Sequence, residues 1–111
     1  MIFAIATDEQ TLQVFSDEGE AISSCEGIDV EAGIWLFWDH DGLPLTAAFT
    51  TPNRRGMFSV TNGTYCLIQN PEALQAPLLE ALDHVEAVDG RPPLDSVEAI
   101  KRYLASRAPK P

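Results

Sequence analysis

The amino-acid sequence predicts an α+β fold, in which an antiparallel β-sheet of five or six strands packs against two or three short helices. Two observations predict it: short apolar or alternating runs separated by turn residues come first, and capped helical patterns follow them. With 111 residues, of which 45% are hydrophobic, the chain is expected to form a single domain, 1–111, with a core of its own.

The first two predicted strands lie close to the N-terminus. Residues 2–7 are apolar except for Thr7, which predicts a strand buried on both faces. A polar connection follows, and residues 11–15 then alternate well enough to form a second strand, with a helical turn as the alternative.

A short helix is predicted over residues 18–25. Either Ser16 or Asp17 can cap it, acidic residues crowd its first turn, and Gly27 occupies the position of a C-terminal capping glycine. The following residues, 28–33, are expected to form a turn-rich approach to the next strand.

The centre of the sequence predicts a β-hairpin with a four-residue loop, formed by residues 34–38 and 43–49. If Trp38 pairs with Leu43, every second residue from position 34 lies on one apolar core face. Trp35 and Phe37 would then lie on the other face. Two interpretations of them stay open: a helix covers them, or they belong to an exposed binding patch.

A second hairpin is predicted around Asn62 and Gly63, because both central residues of a type I′ turn need a positive φ. Its two-residue loop would pair Phe58 with Leu67 on a second core face.

The region after residue 69 predicts helices and one more strand. Asn70, Pro71 and Glu72 are typical of a helix start, but Pro77 interrupts it. Either a single turn precedes a separate helix over residues 77–82, or one longer helix kinks. A short last strand is expected within residues 84–88.

The last helix is predicted to begin after Leu94 and a capping box formed by Asp95 and Glu98, and to end near Ser106. Its apolar stripe consists of Val97, Ile100 and Leu104. Residues 108–111 are expected to fray.

The charge of the chain is divided unequally along its length. Residues 1–53 hold ten Asp or Glu and no Lys or Arg, whereas residues 54–111 hold seven of each sign. If this division becomes a division between surfaces, the acidic surface repels nucleic acid and anionic membranes and attracts basic partners. No apolar run is long enough to span a membrane, and the N-terminus lacks a basic signal region, so we expect a cytoplasmic protein.

Cysteine, histidine and carboxylate residues form no recognisable site in the sequence. Cys25 and Cys66 lack metal-ligand spacing, and we expect buried thiols, with a disulfide as the weaker alternative. His40 and His84 have no paired spacing with them. The loop that contains His40 begins like a calcium loop, but no later acid completes it. We therefore expect no metal, no cofactor and no enzymatic activity.

Residues 27–45, with the Trp35–Trp38 segment at their centre, and the helix start at residues 96–100 resemble a pattern in small bacterial proteins encoded beside polymorphic toxins. That family is the immunity proteins of contact-dependent growth inhibition systems, and the resemblance covers about half of the chain. It implies a cytosolic, non-enzymatic inhibitor that binds one toxin domain, commonly a basic nuclease. No individual binding residue carries over, because the family varies widely in sequence and fold.

Three hypotheses follow from the sequence. In the first, an immunity protein uses its acidic residues and an aromatic anchor to bind a toxin, and the candidate partner-binding residues are Glu26, Asp29, Glu31, Trp35, Asp39 and Asp41. In the second, a small enzyme uses carboxylates and His40 in a concave pocket. In the third, a regulatory module holds a small ligand against the sheet face around Trp35. The oligomeric state stays open.

Overall fold

The fold is α+β, and the computed structural model describes residues 1–70, 72 and 74–107. In chain order its strands are β1 (Ile2–Ala6), β2 (Thr11–Phe15), β3 (Trp35–Trp38), β4 (Pro44–Phe49), β5 (Arg54–Arg55), β6 (Val60–Thr61), β7 (Tyr65–Gln69) and β8 (Ala87–Asp89). The helices are α1 (Glu18–Ser24), α2 (Gly27–Glu31), α3 (Leu78–Ala81), which a 3₁₀ turn (Leu82–His84) extends, and α4 (Val97–Arg107).

Six of the strands form one sheet in the order β7-β4-β3-β1-β2-β8. All neighbours pair antiparallel except β2 and β8, which run parallel. Strands β5 and β6 form a separate two-stranded hairpin. The predicted fold class is confirmed, as are the first two strands. No helix of the described residues is long and apolar enough to cross a membrane.

The large sheet is covered on both faces, and the central strand β1 is buried on both, as predicted. Its side chains alternate between two apolar clusters. On the first face, Ile2 and Ala4 pack with residues of α1 and α2. On the second face, Phe3 and Ile5 pack with residues of α3 and α4. The pairs of helices therefore lie on opposite sides of the sheet.

The predicted register of the β3–β4 hairpin is wrong by one residue. Trp38 pairs with Pro44, and Phe37 pairs with Leu45. A shift of one residue moves the side chains of one strand to the other face, so Leu45 shares the first face with Phe37, which is 2% exposed there. Phe37 therefore cannot belong to an exposed patch, and Leu43 is an exposed loop residue rather than a core residue.

The cause of this register is the loop. Asp39 N–H donates to Leu43 C=O at 2.9 Å, and Gly42 N–H donates to Asp39 C=O at 3.0 Å. Three residues, 40–42, therefore lie between Asp39 and Leu43, and the last of them, Gly42, has a φ of +80°. A β-turn followed by a left-handed glycine is a common three-residue hairpin connection.

The predicted hairpin around Asn62 and Gly63 is also wrong. Strand β6 pairs with β5, strand β7 pairs with β4, and neither Asn62 nor Gly63 has a positive φ. The Asn62 side-chain oxygen instead accepts a hydrogen bond from Ile28 N–H at 3.1 Å. A Cβ on Gly63 would come within 2.2 Å of Thr51 C=O, so this glycine serves close backbone packing.

The first helix ends earlier than predicted, and a second helix replaces the expected turn-rich segment. Asp17 caps α1 by accepting from Glu20 N–H, and Cys25, not Gly27, is the C-cap residue. Gly27 begins α2, where a Cβ would come within 2.6 Å of the Asn53 side-chain oxygen. The glycine therefore permits close packing of α2 against the loop after β4.

The C-terminal elements agree with the sequence in outline. The interpretation with a separate helix after Pro77 is confirmed by α3, and the last strand is β8, parallel to β2. The helix start predicted at residues 70–72 lies partly outside the described residues, because Pro71 is not among them. Residues 108–111, which were expected to fray, also lie outside them. Ser96, rather than Asp95, caps α4, since its hydroxyl accepts from Ala99 N–H at 3.1 Å.

Candidate functional site

The two faces of the sheet carry different charge. Residues 17–31, which include α1 and α2, contain six carboxylates and no base. We call these six the acidic face: Asp17, Glu18, Glu20, Glu26, Asp29 and Glu31. Five of them are exposed, and Asp29 is half-buried. On the opposite face, α3, its 3₁₀ extension and α4 together carry three acids and three bases. Six of the ten acids of residues 1–53 therefore lie on the side of α1 and α2.

Within the described part of the chain, no ion pair neutralises a carboxylate of the acidic face. The ion pairs found there join Asp83 to Lys101 at 3.6 Å and Asp41 to Arg107 at 2.8 Å, with His40 also close to Asp41. None of them involves a residue of the acidic face. Arg55 borders the end of α2 near Glu31 without reaching ion-pair distance in this structure.

Asp39 has a structural role. It is 7% exposed, and its carboxylate accepts hydrogen bonds from the backbone N–H groups of Asp41 and Leu43 and from Gln69 Nε2, all between 2.9 and 3.0 Å. These bonds hold the β3–β4 loop and tie it to β7. The carboxylate is therefore already occupied by the fold.

Asp41 is exposed but already paired. Its Oδ1 accepts from Arg107 Nε at 2.8 Å, and this hydrogen bond raises the pKa of the Arg107 guanidinium. Tyr103 stacks below the same guanidinium, with the ring centroid 5.6 Å away. The hairpin loop is thus fastened to the last turn of α4, which is on the side of the sheet opposite the acidic face.

The remaining candidates lie at the other end of β3. Glu26 is the exposed residue before α2, and Glu31, the last residue of α2, accepts from Asn53 Nδ2 at 2.7 Å. Trp35 begins β3 and is half-buried against the first cluster, next to Val30 of α2. The structure therefore brings Glu26, Asp29, Glu31 and Trp35 together and separates them from the loop that holds Asp39 and Asp41.

Three acids of the acidic face were not among the sequence candidates. Asp17 caps α1, Glu20 lies in its first turn, and Glu18 reaches the outer edge of β7, where its carboxylate accepts from Leu67 N–H at 2.8 Å. The absence of bases up to Arg54 was the available signal. What the sequence did not reveal was that α1 and α2 share one side of the sheet.

The Cys25 thiol is not activated as a nucleophile. Burial, reinforced by the charge of Asp29, raises the pKa of the Cys25 thiol to about 12, so the thiol stays protonated at neutral pH. Both cysteines are free. The His40 side chain is 48% exposed at the hairpin loop, where its Nε2 lies 3.4 Å from the Asp41 carboxylate.

The described residues contain no group of three or more His, Cys, Asp or Glu that could hold a metal ion. A depression of about 240 Å³ lies between α2 and β4 and includes Trp35, where the ligand-binding hypothesis placed its site. Comparisons with protein-family models, with curated proteins and with solved structures each gave no match.

Proposed function

We propose that this chain is a cytoplasmic immunity protein that binds and neutralises a cationic toxin domain, with the acidic face of α1 and α2 as the docking surface. The observation that carries the proposal is the charge of the helices on the two faces: residues 17–31 hold six carboxylates and no base, whereas α3, its 3₁₀ extension and α4 hold three acids and three bases. A nuclease domain must present basic groups to bind phosphates, and carboxylates can occupy those places.

Glu26, Asp29 and Glu31 stay in the proposed surface, and Asp17, Glu18 and Glu20 join them. Trp35 lies at the end of α2 and supplies apolar contact area there. Asp39 and Asp41 leave the surface, because Asp39 is buried within the hairpin loop and Asp41 pairs with Arg107 on the other side of the sheet. This assignment differs from the sequence hypothesis, which counted Asp39 and Asp41 among the partner-binding residues.

The test begins with the reading frame next to this gene. Its C-terminal domain is expressed in a heterologous bacterium with and without this chain, and growth is measured. We expect that domain to arrest growth alone and this chain to restore it. A neighbouring frame that encodes no toxic domain, or a toxic domain against which this chain gives no protection, counts against the proposal.

Affinity measurements then locate the surface. The double variant Glu20→Lys/Glu26→Lys reverses two exposed acids of the acidic face, and Glu86→Lys/Glu98→Lys is the matched control. Glu20 and Glu98 both lie in the first turn of a helix, and Glu26 and Glu86 both lie outside helices. Calorimetry should show at least a tenfold loss, about 1.4 kcal/mol, for the first variant only. Equal losses in both would mean that only net charge matters.

The salt dependence of the complex is a further measurement. An interface that rests on exposed carboxylates should associate more slowly as ionic strength rises, while its dissociation rate changes less. An association rate independent of salt would remove the acidic face from the interface.

A further inference from the structure

The β5–β6 hairpin presents apolar side chains that nothing in the described chain covers. Gly56 N–H donates to Ser59 C=O at 2.7 Å, and Arg55 pairs with Val60, so Met57 and Phe58 are the two residues of the turn. Met57 is 89% exposed and Phe58 is 95% exposed. We call this element, residues 54–61, the finger.

The turn chemistry of the finger is unusual for its geometry. Two-residue hairpin turns favour Asn and Gly, which adopt positive φ without strain. Met57 and Phe58 have no positive φ and bring large apolar side chains into water instead. Departures from local rules of this kind are expected where function selects the residue. Met and Phe therefore occupy the tip in place of the residues that favour such a turn.

The base of the finger is held in place. Asn53 donates to Gly27 C=O at 3.0 Å and accepts from Gly63 N–H, while Asn62 accepts from Ile28 N–H. Both ends of the finger are thus fastened to the start of α2. The apolar tip is presented from a fixed base.

The charge of the finger is opposite to that of the rest of the N-terminal half. Arg54 and Arg55 lie directly behind the tip, and residues 50–70 contain no acid. The tip therefore fits a concave apolar site with an acidic rim.

The same chain offers such a site on the second face of the sheet. A cleft of about 550 Å³ lies between α3 and the ends of β1 and β3, with Ile5, Leu36 and Ala81 among its apolar lining residues. Glu80 and His84 lie at its polar side, and no Lys or Arg lines it. The adjoining turn after β1 adds the exposed acids Asp8 and Glu9. Its volume is within the range of apolar binding clefts.

We propose that the finger of one copy inserts Met57 and Phe58 into this cleft of a second copy, so that the protein associates head to tail. The apolar tip fills the apolar floor, and Arg54 and Arg55 face the acidic rim. Such a contact joins different surfaces of the two copies, so it can continue into a ring or a chain. The cleft is on the second face, away from the acidic face of α1 and α2. This inference does not rest on the proposed function.

Sedimentation velocity over a range of concentrations tests the proposal. The average mass should rise above the 12.1 kDa of one chain as concentration increases. The finger variant Phe58→Ser and the cleft variant Glu80→Arg should each associate at least tenfold more weakly. Leu43→Ser is the matched control, because Leu43 is an exposed apolar residue outside both surfaces. Circular dichroism verifies that every variant is folded.

Mixing the two defective variants gives the decisive result. The intact finger of Glu80→Arg can enter the intact cleft of Phe58→Ser, so the mixture should form one-to-one heterodimers although each variant alone is monomeric. A mixture that stays monomeric would overturn the proposal. A Glu80→Arg variant that associates as strongly as the wild type would indicate a finger-to-finger contact and would overturn it too. So would a wild-type protein that is monomeric up to about 1 mM, where millimolar contacts are visible. Binding of the wild type to anionic lipid vesicles that Phe58→Ser abolishes would assign the finger to membranes instead.

Discussion

Replacing Asp39 by alanine should destabilise the protein strongly, although Asp39 belongs to a surface hairpin. The substitution removes an acceptor that serves Asp41 N–H, Leu43 N–H and Gln69 Nε2 at 2.9 to 3.0 Å. Hydrogen bonds to a charged group contribute about 1.5–3 kcal/mol each, so at the lower end three bonds amount to about 4.5 kcal/mol. At about 4 °C per kcal/mol, the melting temperature should fall by about 15–20 °C.

The variant Asp39→Asn separates the hydrogen bonds from the charge. Its side-chain oxygen can still accept from both backbone N–H groups, and Gln69 can turn its amide to present an oxygen to the new NH₂ group. Because bonds to a neutral acceptor are about half as strong, we expect about half of the alanine loss.

Urea unfolding followed by tryptophan fluorescence measures both variants, because Trp38 lies directly before the substituted residue. A loss below about 1.5 kcal/mol for Asp39→Ala would refute the structural role, since even one such bond contributes that much. An equal loss for alanine and asparagine would show that charge, rather than geometry, holds the loop.

Three further predictions concern stability and association. Glu18→Ala uncovers Leu67 N–H at the outer edge of β7, so light scattering should show faster aggregation on heating. Gly63→Ala places a Cβ within 2.2 Å of Thr51 C=O and should cost more than about 2 kcal/mol in urea unfolding. The Cys25 pKa is raised from 9.0 to about 12 in the folded protein, so stability should fall as pH rises above about 9. Cys25→Ala should flatten that fall, and a profile unchanged by the substitution would contradict the burial effect.

The strand order and layering of the sheet could be predicted only in part. Apolar periodicity located β1, β2 and α4, because their patterns are continuous and their ends carry recognisable turn or capping residues. The pairing of β7 with β4 was missed because Asn62 and Gly63 imitate a local turn. In the structure, the Asn62 side chain accepts a hydrogen bond from Ile28 of α2, a residue that is distant in the sequence.

The sequence identified acidic residues of the candidate site but not their arrangement in space. Net charge identified the acids, and the distance along the chain suggested that Glu31 and Asp39 act together. Strand β3 separates them, however, and the loop uses Asp39 for its own hydrogen bonds. Hydrogen bonding of this kind depends on a hairpin register that one residue can change, and periodicity does not fix it.

The parallel pairing of β2 with β8 has a consequence for synthesis of the chain. Thr11 pairs with Ala87, and Phe3 is covered by residues as late as Ile100 and Leu104. Contacts between such distant positions form late, because long loops must close first. On the ribosome, one side of the N-terminal hairpin therefore stays apolar and open until the last helix has emerged. During that interval the nascent chain is most exposed to chaperones and to aggregation.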